Sequence, residues 1–176
     1  MSVAGRPFVV HVAKLRRSPG TRWHEVRTGV VEGLECTGSA VPPGEAVSAE
    51  VTVESVLGGV SVTGTVTVPW TAVCRRCLAP AAGTVVVPVR ELYTEGGDGE
   101  DTYPLDGDDL DLEPLVRDAV LLELPQAPLC RGDCAGLCPR CGANRNEGDC
   151  GCRAAPDPRW AALDALRAPE RSPDAP

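Results

Sequence analysis

The chain has 176 residues, enough for one domain with a small appendage, and its 43% hydrophobic and 3% aromatic content predicts a core of small aliphatic side chains. No run approaches the roughly 18 apolar residues that a membrane-spanning helix needs. The formal net charge of −8 argues against strong nonspecific binding of nucleic acid. The first apolar run, FVVHVA, is too short for a secretion signal, so we expect a cytoplasmic protein with reduced thiols and no membrane partner.

Alternating valines predict a sheet in the first half of the chain. The pattern is clearest before and after Gly58-Gly59, a pair typical of a hairpin, and a Pro-Gly turn follows the first apolar run. Short turns between successive strands predict an antiparallel β-sheet or a small open barrel. The predicted strands are residues 7–15, 47–54, 60–70 and 84–93.

Charge is unevenly distributed along the chain. Residues 1–27 hold six basic residues and one acidic residue, Glu25, whereas residues 91–123 hold twelve acidic residues and one basic residue, Arg117. We expect a solvent-facing basic arm over 14–27 and a mobile acidic loop over 94–109. The arm either meets phosphate or is neutralised by the acidic residues, and the sequence leaves both open. Its candidate contact residues are Lys14, Arg16, Arg17 and Arg22.

A helix is predicted over residues 111–124. Asp111 can cap it, an apolar stripe from Leu112 to Val120 can bury one face, and Pro125 ends it. The expected class is therefore α+β: a sheet with one packed helix, a C-terminal cysteine-rich zinc segment and a short helix. The expected organisation is a β domain over 1–125, the zinc segment and short helix over 126–167, and a disordered tail over 168–176.

Eight of the nine cysteines form four close pairs. Structural zinc takes four thiolates in a tetrahedron, and two cysteines on one tight turn can reach the same ion. We prefer 74/77 with 130/134 and 138/141 with 150/152, giving about two structural zinc ions, while the other two pairings of the four pairs stay open. Cys36 is left over and fits a small buried hydrophobe. The predicted ligands are Cys74, Cys77, Cys130, Cys134, Cys138, Cys141, Cys150 and Cys152.

Other readings of the cysteines are less favoured. The cytoplasmic placement and the odd count argue against disulfides, and Cys74 and Cys77 join strand to strand, unlike a thioredoxin-type redox pair. An iron–sulfur cluster and a catalytic zinc with an open position remain alternatives. Among the motifs we sought, no P-loop, dinucleotide turn or HExxH is present. We therefore expect no enzyme and no small-molecule substrate.

Several motifs in fixed order resemble the bacterial YceD family over roughly residues 7–167. They are CRRCL after a strand, DLDLEPLVRDAVLLELP, PLCRGDCAGLCPRCGANRNEGDCGC and a closing DPRWAALDAL. The six-cysteine stretch resembles the Gram-positive branch of that family. The resemblance implies a non-enzymatic role in accumulation of 23S ribosomal RNA and in large-subunit biogenesis, with a ribosomal RNA precursor or an assembly intermediate as partner.

The resemblance supplies no RNA-contacting residue, so candidates come from chemistry. Arg75 and Arg76 lie between the cysteines of one expected site, and Arg140, Asn144 and Arg145 lie around the other. Arginine can meet phosphate through two hydrogen bonds, although these arginines can also simply offset the negative charge of the metal sites. Two hypotheses stand: direct contact with ribosomal RNA, or a protein adaptor or chaperone for a basic partner such as a ribosomal protein.

Overall fold

The structure is a computed structural model that describes residues 5–98, 101–153, 159–160 and 163. The chain forms two compact units, Met1–Cys134 and Ala135–Pro176. The division falls later than the expected boundary at 125/126, because Cys130 and Cys134 lie with Cys74 and Cys77 in the first unit. Most of the predicted closing helix and the whole of the predicted tail over 168–176 lie outside the described residues.

The first unit is built on a six-stranded open sheet and a separate two-stranded sheet. The larger sheet has the order β2-β4-β5-β6-β7, with β3 paired to β5, and the smaller one joins β1 to β8. The elements are β1 (Val9–His11), α1 (Ala13–Arg16), β2 (Arg22–Gly29), β3 (Ser39–Ala40), β4 (Val47–Val56), β5 (Gly59–Val73), β6 (Pro80–Thr94), β7 (Tyr103–Pro104), β8 (Asp109–Asp111) and α2 (Glu113–Glu123).

The alternating valines form the centre of the larger sheet, as their pattern predicts. β4 and β5 pair antiparallel through a hairpin in which Val56 is opposite Gly59, and β5 and β6 then pair from Val60 opposite Tyr93 to Val73 opposite Pro80. The valines on one face are almost fully buried and build the core. Because β5 and β6 each have 15 residues, their connection lies at the far end of a long hairpin.

The N-terminal segment departs from the sequence prediction of one strand over 7–15. Only Val9–His11 is a strand, and Ala13–Arg16 forms one helical turn. Val12 and Leu15 are both fully buried. Residues three apart share a helix face but point to opposite faces of a strand, so the turn buries both side chains.

The expected basic arm is also partly a strand. Arg22–Gly29 forms β2, which pairs antiparallel with β4 and occupies an edge of the sheet. Its basic side chains can be accommodated in a strand because one face of β2 is exposed and the other is only half-buried.

The described parts of the acidic segment, residues 94–98 and 101–109, are more ordered than a solvated loop. They contain β7, which pairs parallel with β6, and end where β8 pairs antiparallel with β1. Leu105 and Leu110, two isolated apolar residues among the carboxylates, are buried in the core. These leucines account for the order, since each anchors an otherwise polar stretch.

Helix α2 covers most of the predicted span of 111–124. The N-cap residue is Leu112 rather than Asp111, but the Asp111 carboxylate accepts a hydrogen bond of 3.0 Å from the Glu113 amide and so satisfies one amide of the first turn. Leu115, Val116 and Val120 are buried, and the helix contacts β5 and β6. None of the helices in the described part of the chain has the length and apolar character needed to cross a membrane.

Candidate metal centres

The first cysteine cluster joins the β5–β6 connection to the segment after α2. The sulfurs of Cys74, Cys77, Cys130 and Cys134 all lie within 4.8 Å of one another. The Cys74 and Cys134 sulfurs are 3.8 Å apart, and those of Cys77 and Cys130 are 3.5 Å apart. Four sulfurs bound tetrahedrally to one zinc ion would be about 3.8 Å apart. The cysteines are free thiols, and the donor set fits a closed tetrahedral metal site.

Backbone hydrogen bonds shape the turn that carries Cys74 and Cys77, which we call the first knuckle (Cys74–Ala79). The Cys74 amide donates to the Ala79 carbonyl at 2.8 Å, and the Leu78 amide donates to the Cys74 carbonyl at 3.0 Å. The Arg75 amide donates to the Pro128 carbonyl at 3.0 Å and so ties the knuckle to the distant chain segment. The turn is therefore held from within and from across the cluster.

The thiols of this cluster ionise unequally. Burial raises the pKa of Cys74, but hydrogen bonds from the backbone amides of Cys130, Cys77 and Arg76 lower it by more. The resulting pKa of Cys74 is about 6. The hydrogen bond with the Cys77 sulfur and burial raise the pKa of Cys130 to about 12. A first thiolate thus forms readily, whereas collecting all four negative charges requires a cation among them.

The second cluster is local to one stretch of the second unit. The sulfurs of Cys138, Cys141, Cys150 and Cys152 also lie within 4.8 Å of one another. Backbone hydrogen bonds from Cys141 and Arg140 lower the pKa of Cys138 to about 6, and the hydrogen bond with the Cys141 sulfur raises that of Cys152 to about 12. The second cluster therefore repeats the electrostatic pattern of the first.

The two knuckles share the same backbone hydrogen bonds. In the second knuckle (Cys138–Ala143), the Cys138 amide donates to the Ala143 carbonyl at 2.8 Å and the Gly142 amide donates to the Cys138 carbonyl at 2.9 Å. Gly142 has φ +75°, and Leu78, at the matching place in the first knuckle, has φ +62°. Both knuckles therefore have the same local geometry, but the residue with positive φ is leucine in the first and glycine in the second.

The clusters differ in their exposure. Cys74, Cys77 and Cys134 are buried and only Cys130 is exposed, whereas Cys138 alone is buried in the second cluster. The structure brings the four pairs together in the preferred combination, and each set can hold one metal ion. The first cluster can act as a clamp between distant chain segments, and the second closes a short loop.

Cys36 lies outside both clusters. It is half-buried against the core, with its sulfur 3.5 Å from the Ser39 hydroxyl and 3.9 Å from the Leu124 carbonyl oxygen. The hydrogen bond with Ser39 lowers the pKa of the Cys36 thiol. Packing against the core fits a small hydrophobe, although the residue is less buried than the sequence suggests.

The basic residues of the N-terminal segment fall into two groups. The Arg16 guanidinium pairs with Glu95 and, at 3.3 Å, with Asp108, while Arg22 pairs with Glu54 at 3.1 Å. Lys14 and Arg17 are exposed and have no side-chain partner among the described residues. The neutralisation by the acidic segment that the sequence left open therefore applies to Arg16, whereas Arg22 is paired with Glu54 of β4 instead.

The candidate RNA-contact residues around the clusters also fall into two groups, those with a hydrogen-bond partner among the described residues and those without. Arg76 donates to the Cys134 carbonyl at 2.9 Å, and Arg140 donates to the Arg153 carbonyl at 2.8 Å. The amide of Asn144 binds the Glu147 carboxylate at 2.8 Å. The side chains of Arg75 and Arg145 are exposed and unpaired within the described part of the chain.

Sequence reasoning missed the backbone groups that support the first cluster, especially the Pro128 carbonyl. Its contact with the Arg75 amide joins residues 53 positions apart and has no signature in side-chain pattern. The signal at Leu78 was visible, because the second CxxC pair is followed by glycine where the first is followed by leucine. That difference becomes informative only when the structure shows that both residues have positive φ, which glycine adopts readily and leucine rarely.

Comparison with known proteins gives relatives along nearly the whole chain. Uncharacterized proteins of Mycobacterium tuberculosis and Mycobacterium bovis are each 38% identical over 174 residues, covering 93% of this chain and 83% of the relative. A third, from Mycobacterium leprae, is 35% identical over 175 residues, covering 93% of this chain and 79% of the relative. No solved structure matches the chain.

Two further matches carry a functional description. Residues 62–167, which include both clusters, match the family model described as large ribosomal RNA subunit accumulation protein YceD. A chloroplast protein of Arabidopsis thaliana named as a YCED homolog of the same description is 36% identical over 66 residues, covering 37% of this chain and 21% of that protein. Because the family model spans more than half of the chain and includes both cysteine clusters, the resemblance of the motifs is confirmed, and the chain belongs to the YceD family.

Proposed function

We propose that the chain is a non-enzymatic zinc-binding factor that acts in 23S ribosomal RNA accumulation and processing, and so in large ribosomal subunit biogenesis. The observation that carries the proposal is the family match, whose description names accumulation of the large ribosomal RNA and no reaction. The partner would be a ribosomal RNA precursor or a large-subunit assembly intermediate, met in the cytoplasm.

The chemistry of the two donor sets supports zinc as the metal. Each set has four sulfur ligands, and a tetrahedron of thiolates is typical of structural zinc. Zinc would hold the four thiolates of each cluster together, and four protein ligands leave no position for a substrate or a reactive water. Both ions would therefore have a structural role.

The described histidines support a non-enzymatic reading. The His11 ring contacts the Asp109 carboxylate at 2.9 Å, and the His24 ring lies 3.5 Å from the Glu50 carboxylate. Both rings are exposed on the sheets rather than set beside a cysteine nucleophile.

A second candidate function, an adaptor for a basic partner such as a ribosomal protein, is favoured by one surface feature. A depression of about 270 Å³ lies between β6 and α2. Apolar side chains including Val87 and Leu115 line it, and Glu91, Asp118 and Glu123 add negative charge. A basic segment with an apolar side chain would complement this depression in charge and polarity.

The proposed function is tested by depleting the protein in its native cell and measuring the ratio of 23S to 16S ribosomal RNA. We expect a lower ratio and accumulation of 23S precursors, restored by the wild-type chain. A Cys74→Ser chain should restore less than the matched control Thr71→Ser, which alters an exposed residue of the same hairpin. An unchanged ratio after depletion would refute the role in 23S accumulation.

Crosslinking in the cell separates the two modes of action. Sequencing of crosslinked RNA and identification of crosslinked proteins from the same sample would show which partner is in direct contact. Enrichment of 23S precursor sequences supports direct RNA contact. Enrichment of one basic ribosomal protein without RNA supports the adaptor.

A further inference from the structure

Leu78 has a backbone conformation that leucine rarely adopts. Its φ of +62° makes it the one residue other than glycine with positive φ in the described part of the chain. Side chains with a Cβ are disfavoured in this region, where glycine and asparagine are the usual residues. The position thus carries a backbone strain that a glycine would remove.

The second knuckle shows what the same turn contains without this strain. Gly142 occupies the equivalent place, donates the equivalent hydrogen bond to the first cysteine of its knuckle and has φ +75°. Both turns place their cysteine pairs within a four-sulfur cluster. The leucine is therefore not required by the geometry of the knuckle.

Burial does not account for the leucine either. Leu78 is 65% exposed, and Val73, the residue just before the knuckle, is 58% exposed. An exposed apolar side chain in a strained conformation contributes little to the folded state, and strain of this kind is concentrated at functional sites. The tip of the β5–β6 hairpin therefore presents apolar surface that its own unit leaves uncovered.

The charge around this tip is exclusively positive in the local sequence. Residues 55–89 contain no acidic residue, and Arg75 and Arg76 are their only charged residues. Asp133, beside the ligand Cys134, is paired with Arg131 at 3.2 Å. Arg76 reaches the Cys134 carbonyl, and the exposed Arg75 side chain has no partner among the residues that the structure describes.

The acidic segment is far from this tip. It begins after Thr94, at the opposite end of β6 from Pro80, which is roughly 45 Å along the strand at the usual rise per residue. Exposed charges are largely screened beyond about 8 Å at physiological salt. The negative charge of the described acidic residues in 95–98 and 101–109 therefore does not cancel the positive charge at the knuckle.

We propose that the first knuckle is an RNA-docking tip in which Leu78 packs against an unstacked base while Arg75 contacts a neighbouring phosphate. The inference rests on the proposed function, because that function makes RNA the partner. A polyanion suits the exposed guanidinium of Arg75, which lies within a stretch, residues 55–89, that contains no acidic residue. Apolar surface at its centre suits the face of a base in single-stranded RNA. Leu78 is then the residue that sets affinity, and its strain is tolerated for that contact.

The test compares Leu78→Gly with wild type as zinc-loaded, full-length protein, using an in vitro 23S ribosomal RNA transcript as the probe. We expect zinc content to be unchanged and the thermal midpoint to be equal or higher, because glycine relieves the positive φ. Affinity for the transcript should fall about tenfold, the usual scale for losing one base contact. Leu57→Gly is the matched control, since Leu57 is fully exposed at a different hairpin turn.

Two further variants protect the test from a folding artefact. Leu78→Asn keeps a side chain that tolerates positive φ and should weaken binding as Leu78→Gly does. Arg75→Gln should weaken binding and reduce the slope of log affinity against log salt by about 0.7, the value for one phosphate contact on a single strand. Both variants should retain their zinc.

Several outcomes would overturn the proposal. They are no binding of the wild-type chain to the transcript, or unchanged affinity in both Leu78 variants. If those variants bind RNA normally but fail to restore the 23S to 16S ratio in depleted cells, the tip contacts a protein instead. Failure of the wild-type chain to restore that ratio would refute the proposed function separately.

Discussion

At the scale of single residues, the unequal thiols of each cluster predict how metal binding depends on pH. Cys74 and Cys138, with pKa values of about 6, are mostly ionised at pH 7, whereas Cys130 and Cys152, with values of about 12, are protonated. A thiol must lose its proton to bind metal, so protons compete with the ion. Zinc affinity should therefore rise with pH.

The size of this dependence is measurable by competition with a chromophoric chelator at pH 6, 7 and 8. We expect affinity to increase by at least about tenfold per pH unit, because each proton displaced contributes one decade per unit. Between pH 6 and pH 5 the loss should steepen, since Cys74 and Cys138 then gain protons as well. An affinity independent of pH would contradict metal binding by the thiolates.

Substitution of single ligands should separate the two clusters. The wild-type chain should carry about two zinc ions, and each ligand substitution should remove one. Cys74→Ser and Cys130→Ser should lower the thermal stability of the first unit by the same large amount, because a metal ion bound by both would clamp distant segments. Cys138→Ser and Cys150→Ser should leave that unit's melting unchanged.

Metal analysis with calorimetric melting of each variant checks this prediction, with Cys36→Ser as the control for a thiol outside the clusters. Different zinc contents for Cys74→Ser and Cys130→Ser would mean that the pairing is wrong. Eight or nine titratable thiols without metal in gently purified wild-type protein would refute the zinc sites.

At the scale of elements, the pairing of β4 with β5 depends on close backbone contact at Gly64. A Cβ added at Gly64 of β5 would lie 2.1 Å from the Glu50 carbonyl oxygen of β4 and 2.7 Å from the Val51 Cα. Backbone cannot move aside as a flexible side chain can, so Gly64→Ala should destabilise the first unit by about 2 kcal/mol or more. Denaturant unfolding measures this, with Thr65→Ala on the same strand as the control. Wild-type stability in Gly64→Ala would show that the strands separate easily.

Elements with periodic valines could be predicted from the sequence, and those without could not. β4 and β5 alternate valine with polar residues around a Gly-Gly turn, so their hydrophobic period identifies them. β2 has no such period, because half-buried Trp23, Glu25 and Arg27 share one face. Its place is decided by pairing with β4, which is a tertiary effect.

The candidate metal centres were more predictable than the sheet edges. Spacing alone identifies pairs such as Cys74 with Cys77, because two ligands on one tight turn must point to one ion. How the pairs combine depends on which distant turns meet, and that is set by packing of the sheet and α2. The hydrogen bond between the Pro128 carbonyl and the Arg75 amide of the first knuckle likewise depends on this packing, so the sequence could not predict it.

At the scale of the whole molecule, ion pairing determines which basic residues of the N-terminal segment remain available to contact RNA. Arg16 is joined to the acidic segment and Arg22 to β4, which leaves Lys14 and Arg17 exposed. We expect Lys14→Ala with Arg17→Ala to weaken association with 23S precursors and flatten its salt dependence, as fewer counterions are released. Arg22→Ala should have a smaller effect, because its charge is already paired.

Filter binding at several salt concentrations checks this prediction, and zinc content should be unchanged in every variant. Equal losses for the double variant and for Arg22→Ala would show that pairing does not determine availability. Unchanged RNA association for all of them would remove the N-terminal segment from the contact and favour the protein adaptor.

The sequence separation of the ligands also orders events during synthesis on the ribosome. Cys74 and Cys77 leave the exit tunnel well before Cys130 and Cys134, so the first cluster stays incomplete until β6, the acidic segment and α2 have all been made. The second cluster needs only residues 138–152 and closes a much shorter loop, which costs less chain entropy. A metal ion bound at the first cluster would thus be acquired late, after the long hairpin has emerged, and a nascent chain stopped before residue 130 holds only the two cluster thiols of Cys74 and Cys77 at its tip.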